Sequence, residues 1–394
     1  MAILTLPKSS TDSIANEAIL ETCMKHTTEK LSIVLRCPDD TIPKLNELRR
    51  YVGEIYSMAW DVVLNIQGSS NNSNGELLNV IIYPQHLPNA APENWITHRP
   101  DLNCLCSHSS IIGWVSNTSS SSTGKFFENV EGSGVGGLQS HVDAVNGDRS
   151  RRELEDVHAL EVDEWPDVCT KKLLNVDDHV LFLEDDDDDD DEDDEDDNRE
   201  NDEKRQMQRS QSLSSSSSSD AAIGHYRIPN SSLYNSVAVG GTFDGVHYGH
   251  RKLLTLAISS VVPNSGKLII GITTDEMLQQ KQYAEYIPTL KERMKAVRSF
   301  VDDLAPGMKN RIKIIPIKDK YGPPGCDPNS DTYGTLENDF DALVLSHETL
   351  PTGEKLNEHR VNVLGLEPLT LLCTRRTEAH GMSSTTLRRI RSQQ

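Results

Sequence analysis

The sequence predicts an α/β chain: a doubly wound, five-stranded parallel sheet at its C-terminal end, preceded by a small α+β module and a long disordered linker. Three observations lead there. After Ser236, short runs rich in Val, Ile and Leu alternate with helix-length amphipathic stretches, the pattern of a parallel sheet covered on both faces. Between Pro84 and Pro229 the chain is rich in Ser, Asn, Gly and Asp, and such a stretch buries too little apolar surface to offset the entropy of ordering it. The first 85 residues read as strand, helix, strand. The expected boundaries are therefore 1–85 for the N-terminal module, 86–230 for a low-complexity, acidic and Ser-rich linker, and 231–394 for a Rossmann-like domain.

Each element has a local reason. Residues 31–36 and 77–83 read as strands because β-branched and aliphatic side chains run nearly continuously there. Between them, Leu45, Leu48, Val52, Ile55, Tyr56 and Met58 recur at spacings near three and four, which gives a helix within residues 42–66 one buried face. In the C-terminal domain, strands are expected at 236–240, 267–272, 311–317, 340–345 and 368–373. Helices are expected from Tyr248, Thr289 and Glu354, with a last one at 384–391. A sheet of this kind binds ligands in the crevice at the carboxyl ends of its strands, where the connecting loops gather.

The formal net charge of −22 over 394 residues misdescribes the part that does chemistry. From Ser231 onward, 20 Lys and Arg stand against 18 Asp and Glu, so that segment is +2 and the first 230 residues carry −24. Fourteen of those charges lie in one unbroken acidic run, residues 184–197, followed by a serine run at 214–219. An acidic run is ordinarily a solvated spacer, and attraction to a basic protein partner is the alternative. Seven scattered cysteines do not resemble a disulfide framework. Cys104-x-Cys106-x-His108 has no second pair at finger spacing and reads as unpaired thiols. No stretch approaches the ~20 apolar residues of a membrane span, and the start lacks a leader pattern. A cytoplasmic chain with no membrane or nucleic-acid partner is expected.

Directly after the first predicted strand of the C-terminal domain comes Gly240-Gly241-Thr242-Phe243-Asp244-Gly245-Val246-His247-Tyr248-Gly249-His250, which runs into a helix. Glycines let backbone approach a phosphate closely, and amides at a helix start favour an anion. Two histidines three apart share one side of that start. They can donate to phosphoryl oxygens, and both can be charged where an anion raises their pKa. The loop lacks G-x-G-x-x-G, so a dinucleotide site is not supported, although Asp275 stands near the ribose-binding place after the second strand. No G-x-x-x-x-G-K-[ST] phosphate loop occurs.

A second motif, Gly381-Met382-Ser383-Ser384-Thr385-Thr386-Leu387-Arg388, stands near the end of the sequence. Ser and Thr are preferred N-caps, and uncapped amides, hydroxyls and an arginine one turn on would also suit a triphosphate.

The first motif resembles the GTFDxxHxGH signature of the HxGH nucleotidyltransferase superfamily, and the second its ISSTxxR signature, with Met382 in place of Ile. The resemblance implies that His250 stabilises charge on the ATP phosphates with help from His247, and that Thr242 contacts the acceptor phosphate. It also implies that Gly241, Phe243, Gly249, Ser383, Ser384, Thr385 and Arg388 belong to the ATP site, and that Lys281 helps hold the transferring phosphates. Phospho-alcohol cytidylyltransferases share both motifs. Two further blocks narrow the substrate: residues 318–328, with Tyr321-Gly322-Pro323-Pro324-Gly325, and Ser346-His347-Glu348-Thr349 followed by Gly353, Leu356, Asn357 and Arg360. Both look like blocks of eukaryotic and archaeal phosphopantetheine adenylyltransferase, including the adenylyltransferase half of animal coenzyme A synthase.

That resemblance implies ATP and 4'-phosphopantetheine as substrates, with Tyr321, Gly322, Asn357 and Arg360 joining Thr242 and Lys281 around the acceptor. A separate dephospho-coenzyme A kinase is then expected, because the phosphate-loop signature is absent. A phosphate monoester is mostly dianionic at neutral pH and needs no general base, so the site should consist of positive charge and oriented donors. Mg²⁺ would be bound through substrate phosphates, with no metal site built from protein ligands. The rivals are a cytidylyltransferase acting on a small phospho-alcohol and a non-catalytic scaffold that retains the fold.

Overall fold

The computed structural model describes residues 1–7, 10–36, 45–69, 78–84, 93–108, 137–162, 233–327, 330–333, 339–374 and 384–392. The acidic and serine runs lie outside the described residues. Two five-stranded sheets, parallel throughout, carry the rest.

The N-terminal sheet contains β1 (Ala2–Thr5), β2 (Lys30–Arg36), β3 (Asn79–Pro84), β4 (Cys104–His108) and β5 (His158–Val162), in the order β3-β2-β1-β4-β5. Helices α1 (Ser10–His26), α2 (Leu45–Ser69), α3 (Glu93–Thr97) and α4 (Gly137–Ser150) connect them. This corrects two expectations. The unit does not end at residue 85 but reaches Val162, and it is α/β rather than α+β. The reason is that β4 and β5, CLCSH and HALEV, carry little local strand signal. They are strands because Ala2 pairs with Cys106 and Cys104 with His158, contacts that sequence-local reading does not see.

The C-terminal sheet follows expectation closely. It holds β6 (Ser236–Gly241), β7 (Lys267–Thr273), β8 (Ile312–Ile317), β9 (Ala342–Ser346) and β10 (Thr370–Thr374), in the order β10-β9-β6-β7-β8. Alternation along the strands sends side chains to two different cores. Val237, Val239, Leu268, Ile270 and Ile272 face Leu254, Ala257, Val297, Phe300 and Val301 on one side, while Ala238, Ile269, Leu343, Leu345 and Leu371 face Leu356 on the other. The covering helices are α5 (Tyr248–Ser259), α6 (Leu290–Leu304), α7 (Leu350–His359) and α8 (Ser384–Arg391). Thr289 starts α6 with a capping box closed by Glu292, a device contributing about 1 kcal/mol. Helix α7 begins four residues before the predicted Glu354, helped by Pro351 in its first turn.

The chain order reverses between β6 and its neighbours β7 and β9, so the loops after β6 and β9 part at the carboxyl edge and open a crevice. The floor beside it is built for close approach. A Cβ on Gly271 would stand 2.5 Å from Cδ1 and 2.6 Å from Cγ1 of Ile317, and one on Gly240 3.3 Å from the same Cδ1. Overpacking of this kind costs about 1–3 kcal/mol. Gly271→Val is therefore expected to lower stability by ~1–3 kcal/mol, read as an earlier denaturation midpoint; an unchanged midpoint would mean that Ile317 moves aside freely.

Candidate functional site

The loop between β6 and α5 is a tight and strained turn. Phe243 has φ 53°, Gly245 φ 86° and Val246 φ 42°. For a β-branched residue such a φ is an outlier costing on the order of 1–3 kcal/mol, and it persists only where surrounding contacts over-determine it. They do so here. Arg293, in the first turn of α6 and 1% exposed, donates through Nη1 to Thr242 O at 2.8 Å and Thr273 O at 2.8 Å, and through Nη2 to Asp275 Oδ1 at 2.6 Å. Asp275 thus serves as the partner of a buried arginine rather than as a ribose-binding carboxylate.

The two sequence motifs meet. His247 Nε2 lies 2.9 Å from Ser384 Oγ. Arg388 donates through Nη1 to Asp244 Oδ2, through Nε to Gln282 O at 3.0 Å, and through Nη2 to Thr385 Oγ1 at 3.0 Å. Arg388 and Asp244 are 3% and 1% exposed, so this ion pair is buried. Lys281 reaches across from the loop after β7, its Nζ donating to Thr242 Oγ1 at 2.8 Å. Gly241, Thr242, Phe243, His247, Gly249, His250, Lys281, Ser384, Thr385 and Arg388 thus form one cluster; Ser383 lies outside the described residues.

The histidine rings lie face against face, tilted. Their ring centroids are 3.9 Å apart at 32°, and Phe243 lies 5.1 Å from the His250 ring. A Cβ on Gly249 would stand 3.1 Å from His247 Cε1, so the Gly in His-Tyr-Gly-His leaves room for that ring. His247 is also the N-cap of α5 and makes no side-chain cap bond, so it does not itself satisfy the first-turn amides, donors of the kind that favour an anion. His250 Nδ1 is sealed from solvent with no hydrogen-bond partner. Burial, and then the Lys281 charge, push the His250 pKa down to about 3. Lys281 is itself lowered, by burial first; Asp244 and Glu348 oppose that shift, and Arg388 and Arg293 add to it.

Asp244, His247 and His250 bring ligand atoms within 4.8 Å of one another. This donor set does not make a magnesium cage. Magnesium takes oxygen in octahedral geometry, and the single carboxylate is already engaged by Arg388. It fits an ion held mainly by substrate phosphates and water.

The expected acceptor residues fare differently. Asn357 is 4% exposed and spends both ends of its amide on Leu369, Nδ2 donating to Leu369 O at 2.9 Å and Oδ1 accepting from Leu369 N at 2.8 Å. Arg360, 3% exposed in a single π-helical turn (Arg360–Leu364), donates to Glu367 O at 2.9 Å and Pro324 O at 2.5 Å. Both side chains are thus engaged with backbone, Asn357 through both ends of its amide and Arg360 through Nε and Nη1. Gly322, at φ 61°, gives its N–H to Asp319 Oδ1 at 2.6 Å, and Tyr321 N donates to the same oxygen at 2.9 Å, so these amides close their own turn. The Tyr321 ring stacks on His359, centroids 5.1 Å apart at 25°. Sequence reasoning missed Arg293 as a site residue, and nothing near it in sequence signals the role. It also left out Asp244, although that residue stands inside the first motif.

Residues 238–390 match the family described as Cytidylyltransferase-like. The protein named phosphopantetheine adenylyltransferase from Methanopyrus kandleri is 36% identical over 140 residues, covering 35% of this chain and 77% of its own. The chain belongs to the phosphopantetheine adenylyltransferase family. The protein of the same name from Saccharomyces cerevisiae is 34% identical over 142 residues, 36% of this chain and 41% of that one. The one from Pyrobaculum aerophilum is 30% identical over 161 residues, 40% of this chain and 92% of that one. As a member of this family the chain is a nucleotidyltransferase, and the matched segment coincides with the C-terminal sheet.

Two outcomes follow from the buried groups. Arg293→Met strands three backbone carbonyls, Pro288 O, Thr242 O and Thr273 O, and is expected to cost ~2–4 kcal/mol; chemical denaturation measures it, and a loss below about 1 kcal/mol would remove Arg293 from this role. For His250 the folded pKa of about 3 lies below the ordinary 6.5, so at intermediate pH the unfolded chain binds the extra proton and stability rises with pH. The contribution is complete above about pH 6.5 and is lost as pH falls toward the folded value. Thermal midpoints from pH 7 to pH 4 should fall less steeply in His250→Asn than in the parent; parallel slopes would contradict a buried neutral imidazole.

Proposed function

We propose that this chain transfers the adenylyl group of ATP to 4'-phosphopantetheine, giving dephospho-coenzyme A and pyrophosphate. The observation that carries the reading is the meeting of the two motifs: the His247–Ser384 contact and the Arg388–Asp244 pair gather both around one cradle of donors, in a family whose named relatives are phosphopantetheine adenylyltransferases. No Ser-His-Asp set is needed. The acceptor phosphate, mostly dianionic because its second pKa is ~6, attacks the α-phosphorus in line. The bond from that phosphorus to the bridging oxygen of the β-phosphate breaks, and pyrophosphate carries the charge away.

The chain's own groups orient and neutralise. Thr242 Oγ1 and Lys281 Nζ, already in contact, face the acceptor phosphate and the transferring group. In the absence of a ligand His250 is neutral, so it first meets the triphosphate as a hydrogen-bond donor, and the bound anion favours its charged form. Ser384, Thr385 and the first-turn amides of α5 receive the leaving phosphates. The Tyr321 ring, with Lys320 Nζ 5.0 Å from its centroid, offers a surface to the pantetheine arm. Bound through the phosphates, Mg²⁺ would supply further charge neutralisation. The reading carries a cytoplasmic location, in keeping with Cys23, Cys104, Cys106, Cys326 and Cys373 standing outside any disulfide; among the described residues no helix is long and apolar enough to cross a membrane.

The test is turnover with ATP or CTP against phosphopantetheine or phosphoethanolamine. Turnover with ATP and phosphopantetheine is expected, and His250→Ala should lower kcat by about two or more decades at unchanged fold, the scale of losing one transition-state donor. Turnover only with CTP and the phospho-alcohol would replace the reading by a cytidylyltransferase, and near-normal turnover of His250→Ala would remove that residue from the chemistry.

A further inference from the structure

The N-terminal sheet repeats the plan of the C-terminal one: in each, the first strand is central, the second and third lie on one side, and the fourth and fifth on the other. The sequence after its first strand reads Leu6-Pro7-Lys8-Ser9, without the glycine and histidine pattern. What it brings to the site comes through contact; among the described residues several contacts join the units, Arg49 Nη1 donating to Cys373 O at 2.6 Å among them, and two sets lie near the transferase helices. One is peripheral. Asp303, in the last turn of α6, accepts from Lys30 Nζ at 2.5 Å, Tyr83 Oη at 3.0 Å and Arg99 Nη1.

The other set lands on the helix of the site. Tyr248, the second residue of His-Tyr-Gly-His, donates through Oη to Leu78 O at 2.7 Å, and the rings of Tyr56 and Trp60 in α2 lie 5.8 Å and 6.4 Å from its own. Arg251, directly after His250, donates through Nη1 to Asn79 Oδ1 and Val80 O in β3, both at 2.6 Å. The same guanidinium donates through Nε to Val246 O at 2.9 Å. Val246 is the residue at φ 42° that immediately precedes His247. One side chain thus bridges the first turn of α5, a strand of the other unit and the strained residue that aims the histidines.

We propose that Arg251 is a positioning residue, through which β3 of the N-terminal unit holds Val246 in its strained conformation and keeps His247 and His250 aligned for transfer. The N-terminal unit is on this account a built-in support for the transferase helix. The proposal rests on the adenylyl-transfer reading for its kinetic readout only. Positioning of this kind shows in kcat, because a displacement near 1 Å suffices to lose rate by orders of magnitude while ground-state binding survives.

The experiment compares Arg251→Ala, Arg251→Lys, Asn79→Ala and Asp303→Asn in the full chain. Arg251→Ala is expected to lower kcat by about tenfold or more with KM for ATP changed less than about twofold. Arg251→Lys, which retains one donor toward β3, should recover part of the loss. Asn79→Ala leaves every residue of the C-terminal unit in place and should still lower kcat, by less. Asp303→Asn loosens the peripheral contact, and should lower Tm while kcat stays near the parent value. Loss of activity in proportion to Tm across all four variants would reduce Arg251 to a purely structural part, and an unchanged kcat in Arg251→Ala and Asn79→Ala would overturn the proposal. Should Arg251→Ala fail to fold, Asn79→Ala and Tyr248→Phe decide by the same comparison. If the parent chain shows no turnover with phosphopantetheine, the substrate reading fails by itself. The His247 and His250 ring resonances then decide this inference: Asn79→Ala should move them and Asp303→Asn should not.

Discussion

A strained turn held by three arginines governs the rest of the site. Between Thr242 and Val246 the backbone passes through two non-glycine residues at positive φ, and alternate residues of the turn are each gripped by a guanidinium from a different helix. Arg293 of α6 takes Thr242 O, Arg388 of α8 takes the Asp244 carboxylate, and Arg251 of α5 takes Val246 O. Arginine suits this work because its planar fork presents five donors in fixed directions, so one side chain can hold two or three backbone acceptors together. A lysine reaching the same carbonyls would fix one and leave the others unpaired in a buried place.

The same arrangement explains which charges remain for a substrate. Arg388 faces Asp244 and Arg293 faces Asp275, so both guanidiniums are neutralised inside the protein and act mainly on geometry. Taking Arg388 and Asp244 out of water costs several kcal/mol per ion, and the pair is kept because further donors and acceptors, Gln282 O and Thr385 Oγ1, complete the guanidinium's shell. Lys281 differs in having the neutral Thr242 hydroxyl as its hydrogen-bond partner. Lys281 supplies positive charge and the first-turn amides supply donors at the crevice, which is where a polyphosphate would deliver its charge. The depressed pKa of His250 belongs to this account: a half-buried ring whose Nδ1 is sealed from solvent, beside a lysine, stays neutral until an anion arrives.

Most of the C-terminal sheet was legible in sequence because its strands are runs such as Lys-Leu-Ile-Ile-Gly-Ile-Thr, apolar on both faces, and because Thr289 and Glu292 announce a helix start. The Gly-rich loop and the Ser-Thr helix start were legible because their chemistry is local. What was hidden is non-local. β4 and β5 exist through pairing across long separations, so the N-terminal unit looked shorter than it is. Asn357 and Arg360 carry the polar groups of binding residues, and the sequence gives no sign that Asn357 pairs both ends of its amide with Leu369 or that Arg360 donates through Nε and Nη1 to the carbonyls of Glu367 and Pro324. Arg293 gives the opposite case, an unremarkable helical arginine that becomes the anchor of Thr242 only once α6 packs beneath the loop.

The two motifs differ in what lets them form. The turn after β6 grows directly out of a sheet buried on both faces, whereas α8 has eight residues and is too short to be stable by itself in water. Its place must come from tertiary contact: Leu387 is buried in the hydrophobic cluster that includes Tyr56, Trp60 and Tyr248, and its polar contacts are with the site, Arg388 to Asp244, Ser384 to His247, and Arg388 again to the Gln282 carbonyl beside Lys281. The segment that would receive the leaving phosphates is thus ordered by the residues that would bind the rest of the nucleotide. An anion bridging the α5 amides and the Ser384–Thr385 hydroxyls would add to those contacts, so ligand binding and the docking of α8 are thermodynamically linked and each must favour the other.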